Sequence, residues 1–145
     1  MNIRRIEPED CDAVHSMGSQ EEFFCGFWPR EVIEDLPDSS DSFAYISEVD
    51  GDVVGFVIGS FAPTLRKLIV ENLYVLPRYR RNVYEGDVLA GHLAKEAIEH
   101  GRNLGARTLS CLVDSNNAIS HNLCRQVGVK FSGGDYHWGI YEYEN

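Results

Sequence analysis

The feature that most constrains this chain is the passage from Glu71–Asn72–Leu73–Tyr74–Val75 through Leu76–Pro77–Arg78–Tyr79–Arg80–Arg81 to Gly86. The first five residues read as a buried strand and the Pro-Arg stretch as a turn. Val88, Leu89, Leu93, Ala97 and Ile98 then form one apolar face of a helix that begins at Gly86. After Gly101–Gly105 a second apolar strand follows at Thr108–Val113. Strand, helix, strand in this order is a βαβ unit, which requires a parallel pair and a crossover. The basic turn offers backbone N–H groups and positive charge, so it is a candidate anion cradle.

The remaining elements fall around this unit. Asn2–Ile6 alternates as a short strand, and Pro8–Glu9–Asp10 opens a helix with acidic residues at its positive end. An aromatic cluster, Phe23, Phe24, Phe27 and Trp28, precedes a second helix over Pro29–Leu36. Phe43–Val49 and Val53–Phe61 are strands joined by Asp50–Gly51, a strong hairpin signal, and Leu68–Val75 is the next strand. Asp114–Asn117 caps a helix over Ile119–Val127 that stops at Gly128. Lys130–Phe131 and Trp138–Tyr143 are the closing strands. The order β-α-α-β-β-β-α-β-α-β-β predicts an α/β fold, a mixed sheet with helices on both faces, in one domain over residues 1–145.

Composition narrows the function. The formal net charge of −10 disfavours a nucleic-acid backbone as partner and favours a cationic one, although solubility alone also accounts for it. Within that acidic chain Arg78, Arg80 and Arg81 stand together, as a local anion site would. The four cysteines, Cys11, Cys25, Cys111 and Cys124, lie far apart without a C-x-x-C pair, which suits reduced thiols in a cytoplasm rather than a zinc site. His121 and His137 have no second ligand at metal spacing, so no metal is expected. No apolar run reaches the ~20 residues of a membrane helix, and Met1–Glu7 lacks the apolar core of a signal peptide.

Four stretches, in order, resemble the GCN5-related N-acetyltransferase (GNAT) family. They are the Ile3–Arg4 start, Val54–Gly55–Phe56, the segment from Leu73 through Tyr74–Val75–Leu76–Pro77 to Gly86, and Asn117 to Gly128 with Ser120 and Leu123 between. The resemblance spans nearly the whole chain and implies transfer of an acetyl group from acetyl-CoA to a primary amine by direct attack. In that family the backbone of Leu73, Tyr74 and Val75 would pair with pantetheine as a further strand, and a bulge there would aim an N–H at the thioester oxygen. The loop Arg81, Asn82, Val83, Tyr84, Glu85 and Gly86 would hold the pyrophosphate, and Asn117 the pantetheine arm.

That loop departs from the family pattern Arg/Gln-x-x-Gly-x-Gly/Ala. Counting from Pro77 and Arg80 puts Val83 and Glu85 at the glycine positions. Counting back from the helical face gives Arg81-x-x-Tyr84-x-Gly86, which is preferred because a helix face shifts less easily than a loop. Either way the first glycine is lost and Glu85 brings a negative charge, so the alternative is a GNAT-fold binding module that has lost or weakened CoA binding.

The resemblance implies roles for two further residues. Glu71 stands where some members carry a Glu that removes the amine's proton through water, and burial would raise its pKa into a useful range. A solvent-facing or cation-binding carboxylate is the other reading of Glu71. Cys124 takes the place of the family's thiolate-protonating Tyr; a Cys on an apolar helix face is more often a core residue, and Tyr74, Tyr79, Tyr84, Tyr136 and Tyr141 are alternative acids. Phe23–Trp28 with Glu21 and Glu22, facing Tyr136–Trp138, would line an amine pocket, and the final strands would offer an edge for a homodimer.

Overall fold

The computed structural model describes residues 1–19, 28–114, 118–128, 130–131 and 136–144. The expected aromatic cluster at 23–27, Glu21, Glu22, Cys25 and Asn117 lie outside the described residues. The elements are β1 (Asn2–Arg5), α1 (Cys11–Ser19), α2 (Arg30–Asp35), β2 (Ser42–Val49), β3 (Asp52–Ala62), β4 (Lys67–Val75), β5 (Val83–Tyr84), β6 (Asp87–Val88), α3 (Leu89–Asn103), β7 (Thr108–Asp114), α4 (Ala118–Gln126), β8 (Lys130–Phe131) and β9 (Tyr136–Glu142). The α/β order read from the sequence holds, with one addition, the small β5–β6 ribbon.

Seven strands form one sheet in the order β1-β2-β3-β4-β7-β9-β8. Every neighbouring pair is antiparallel except β4 and β7, which α3 connects as a crossover. Alternation along the strands divides the core into two layers. Phe43, Val57, Leu68, Val75, Leu89, Leu93, Ala97 and Leu109 fill the α3 side. Val14, Ile33, Leu36, Ala44, Ile46, Phe56, Ile58 and Tyr74 fill the side covered by α1 and α2. The mixed sheet with helices on both faces follows from this two-sided alternation.

The first strand is anchored by charge. Arg4 donates to both oxygens of Asp10, at 2.7 and 2.9 Å, and also to Glu48 on β2 at 3.1 Å. Asp10 in turn accepts the Glu7 N–H at 2.8 Å, a capping box that starts the Pro8–Asp10 turn ahead of α1. Burial alone would push the Asp10 carboxyl up, but the hydrogen bonds from Arg4 and Glu7 outweigh it and hold it below its usual range.

Candidate active site

The site is built where two parallel strands part. β4 and β7 pair from Lys67↔Thr108 to Val70↔Cys111 and no further. Beyond that point β4 continues to Val75 against β3 alone, and β7 continues to Asp114 against β9 alone. The cause is local. Gly59 faces Val70 and Ile58 faces Asn72, so Glu71 is an extra residue, a bulge that bends β4 and increases its twist. The bulge also resets the alternation, which lets both Leu68 and Val75 point into the α3 layer although seven positions separate them.

The direction of the backbone groups follows from pairing. The Leu76 N–H donates to the Val54 carbonyl at 2.8 Å. In an antiparallel ladder the alternate residues address the same neighbour, so Tyr74 and Asn72 also face β3. Leu73 and Val75 therefore turn their N–H and C=O groups toward the opening between β4 and β7. One of these groups is already taken: Arg80 Nε donates to the Val75 carbonyl at 2.7 Å, and its guanidinium lies 5.3 Å from the Tyr74 ring centre. The side chain of Tyr74 is buried in the α1–α2 layer.

The three arginines of the basic turn thus separate. Arg80 straps the turn to the end of β4, and the Arg78 guanidinium lies over the Tyr79 ring at 5.1 Å. Arg81 is exposed and makes no hydrogen bond or ion pair among the described residues. Of the three, Arg80 is committed to the Val75 carbonyl, while Arg78 and Arg81 stay exposed to solvent.

The segment after Arg81 differs most from expectation. It is not a loop entering a helix at Gly86. Val83 pairs with Val88 and Tyr84 with Asp87, and the two residues between them, Glu85 and Gly86, have φ of 49° and 87°. Positive φ at both central positions is the type I′ hairpin turn, which suits a glycine second. Asn82 and Val83 are exposed and Tyr84 is half-buried, its carbonyl accepting from His92 Nε2 at 2.6 Å. The helix α3 starts only at Leu89, with Val88 as its N-cap and no side-chain cap bond from that residue. The physical reason is that residues 83–88 are spent in the ribbon, and Asp87 then ties ribbon to helix: its Oδ1 accepts the Val88 N–H at 2.7 Å, and Oδ2 pairs with Lys95 Nζ at 2.8 Å. Lys95 is the main cause that holds the Asp87 carboxyl below its usual range.

Glu71 is exposed on the bulge, so the burial expected to tune it is absent. Its carboxylate nonetheless belongs to the residue from which the fork opens. On the other arm, Cys124 of α4 packs against Cys111, the last β7 residue paired to β4. The Cys111 thiol is pushed up, first by its hydrogen bond with Cys124 and then by burial. Cys124 is lowered because it accepts that bond, against a burial that opposes its charge. Within the pair Cys111 is thus the hydrogen-bond donor and Cys124 the acceptor.

Sequence reasoning brought Glu71, Leu73, Val75 and Cys124 to attention, and they converge on the fork. It missed Asp87, His92 and Lys95. A signal existed: Asp87, Gly91 and Lys95 recur at four-residue steps, one stripe along a helix. Among the described residues no group of three metal-binding side chains occurs, and no helix is long and apolar enough to cross a membrane.

The model of the Acetyltransferase (GNAT) family matches residues 14–129. No curated protein sequence matches the chain significantly. Among solved structures, the PaiA N-acetyltransferase of Thermoplasma acidophilum, in complex with coenzyme A, superposes with a TM-score of 0.77 at 17% identity over 98% of each chain. NAA60 of Arabidopsis thaliana, in complex with a bisubstrate analogue, gives 0.79 at 15% identity over 99% of each chain. The spermidine/spermine N-acetyltransferase SpeG of Vibrio cholerae gives 0.74 at 12% identity, covering 97% of this chain and 93% of that one. At these identities the likeness establishes the fold.

Proposed function

This chain belongs to the acetyltransferase (GNAT) family, and from that premise we propose that it transfers an acetyl group from acetyl-CoA to a primary amine by direct attack. The observation that carries the reading is the fork: Leu73 and Val75 turn backbone groups toward an opening that β7 has left. An extended pantetheine arm carries amides that pair with such an edge as an added strand does. The Leu73 N–H and C=O and the Val75 N–H are the groups available, since Arg80 holds the Val75 carbonyl. By the family resemblance Asn117 would bond the pantetheine arm, and Arg81, with Asn82 next in sequence, would be a cation for the pyrophosphate. Val83, Tyr84, Glu85 and Gly86 border that position as a hairpin rather than enclosing it as a loop.

The chemistry needs a neutral amine, a stabilised oxyanion and a protonated leaving thiol. Glu71, exposed at the bulge, accepts the ammonium proton, directly or through one water. The amine nitrogen then attacks the thioester carbonyl, whose oxygen gains negative charge facing the N–H groups of the fork. The carbon–sulfur bond then breaks: the nitrogen releases the one proton the amide does not keep, and the departing CoA sulfur takes up a proton, so that amide and free thiol are the products. Cys124 lies against Cys111 on the arm of the fork opposite β4; its thiol gives a proton to the CoA sulfur and is restored by the proton the nitrogen releases. The acidic balance of the chain, −10, favours a cationic acceptor, which suits a polyamine such as the spermidine and spermine that the neighbour SpeG is named for.

The test is release of free thiol from acetyl-CoA with a panel of spermidine, peptides with free N-termini and lysine peptides. Turnover with at least one amine, together with saturable acetyl-CoA binding, is the expected result. No thiol release from any amine and no bound CoA would refute the reading. The Asp87 carboxylate on the Val88 N–H and the paired hairpin favour one second reading, a GNAT-fold module whose CoA binding is weakened, and the same binding measurement separates the two.

A further inference from the structure

The first turn of α3 faces the position where the family reading places a pyrophosphate, and this chain fills that turn with its own anion. Val88, the N-cap, contributes no side-chain acceptor, so the leading N–H groups of a 15-residue helix lack the usual cap. Asp87 engages the first of these donors, the N-cap's own, with Oδ1 on the Val88 N–H at 2.7 Å. The carboxylate does not hang free. It lies against the Cα of Gly91, where an added Cβ would come within 2.5 Å of the Asp87 carboxyl carbon. Gly91 is buried, and its missing side chain is the space that admits the carboxylate. Lys95, one further turn along, closes over Oδ2 at 2.8 Å.

The hairpin keeps this arrangement in place. Asp87 is the residue that leaves the type I′ turn, paired to Tyr84, and Tyr84 is tied to the helix by His92 at 2.6 Å. Glu85 at the exposed tip adds a second negative charge to the ribbon that carries Asp87. A helix N-terminus stabilises one anion well, and a second anion arriving at the same turn meets both an occupied donor and a like charge.

We propose that Asp87 is an internal competitor for the donor's pyrophosphate, so that this enzyme selects its acyl donor mainly by the pantetheine arm and only secondarily by the phosphates. The inference rests on the reading of the fork as the pantetheine groove. Lys95 is the counter-ion shared by the two states: paired with Asp87 in the free protein, it transfers to a phosphate when the carboxylate is displaced. Donor affinity is therefore set by an exchange within the protein, and thioesters lacking the nucleotide lose little affinity relative to acetyl-CoA.

The experiment is calorimetric titration of the wild-type protein and of Asp87→Asn and Lys95→Gln with acetyl-CoA, S-acetylpantetheine and inorganic pyrophosphate. Asparagine keeps an oxygen for the Val88 N–H and removes the charge, and thermal melts verify that both variants are folded. Asp87→Asn is expected to tighten acetyl-CoA by about tenfold, the scale of one like charge removed from a helix N-terminus. S-acetylpantetheine is expected to change less than about twofold, since it carries no phosphate. Lys95→Gln, which leaves the carboxylate without its partner, is expected to weaken acetyl-CoA. Unchanged or weaker acetyl-CoA binding by Asp87→Asn would overturn the proposal, as would an equal change for both thioesters. If neither thioester binds any variant, the transferase reading falls, and pyrophosphate then decides the competitor: tighter binding by Asp87→Asn upholds it, and equal or absent binding overturns it.

Discussion

Replacing Asp10 by Asn tests the physical account of how β1 and α1 are held, and its effect can be worked from the contacts. Asp10 is 5% exposed and accepts three hydrogen bonds, two from Arg4 and one from the Glu7 N–H. Asparagine retains an oxygen for the Glu7 N–H but loses the charge that makes the two Arg4 bonds strong. A charge-assisted hydrogen bond contributes roughly 1.5–3 kcal/mol when desolvated. Arg4 is 26% exposed at its side chain and keeps Glu48 as a second partner, so the pair is worth less than two such bonds. The expected loss is about 2 kcal/mol at pH 7. For a chain of this length, with an unfolding entropy of roughly 0.3 kcal/mol per degree, that is a fall in Tm of about 6 °C.

The pH dependence gives a second check with a definite sign. The Asp10 carboxyl is held below its unfolded value in the native state. Its contribution is therefore complete above the unfolded pKa, about 3.9, and is lost as pH falls through the lower native value. Urea unfolding of wild type and Asp10→Asn should show the same gap at pH 7 and pH 5 and a shrinking gap below about pH 4. A gap under about 0.5 kcal/mol at pH 7, or one that widens on acidification, would refute the assignment of Asp10 as the paired anchor.

Further outcomes can be checked with single variants. Glu71→Gln is expected to lower kcat by about a hundredfold or more with the acetyl-CoA KM little changed, the mark of a lost general base; an equal rise in KM with kcat intact would make it a substrate anchor instead. Arg81→Ala should weaken acetyl-CoA by about threefold to tenfold in the same titration, and no change would remove Arg81 from the donor site. Timed alkylation with iodoacetamide, read by peptide mass spectrometry, should label Cys124 well before Cys111, because Cys111 is buried and its thiol is pushed up while that of Cys124 is lowered; the reverse order would contradict the direction of that hydrogen bond. Leu93→Ala, at a fully buried position of α3, should cost about 2–5 kcal/mol in urea unfolding, and a loss below about 1 kcal/mol would contradict the two-layer core.

The candidate site was only partly legible in the sequence. Glu71, Leu73 and Val75 were singled out by the family resemblance, which rests on local patterns, a carboxylate in an apolar strand and a strand leading to Pro77. That Glu71 is an exposed bulge residue was not visible, since a bulge appears only once Val70 and Asn72 have met Gly59 and Ile58 on another strand. Arg80 looked like its neighbours Arg78 and Arg81, and the Val75 carbonyl that distinguishes it is presented by the folded turn. Cys111 and Cys124 stand thirteen positions apart in different elements, and packing α4 on the fork is what makes them a pair.

What the sequence determined by itself is the set of choices that neighbours along the chain decide. Alternation in β2, β3 and β4 set strands with two buried faces, Asp50–Gly51 set the hairpin between β2 and β3, and the apolar stripe of Leu89, Leu93 and Ala97 set α3. The tertiary structure alone decided where β4 and β7 part and how α3 begins. Residues 83–88 are compatible both with a loop entering a helix and with a tight ribbon, and their local preferences differ little. The balance was tipped by His92 on the Tyr84 carbonyl and by Lys95 on Asp87, contacts that exist only after a full turn or more of α3 has formed. Short-range propensities are worth a few tenths of a kcal/mol per residue, so contacts of that kind, each worth as much or more, select between them.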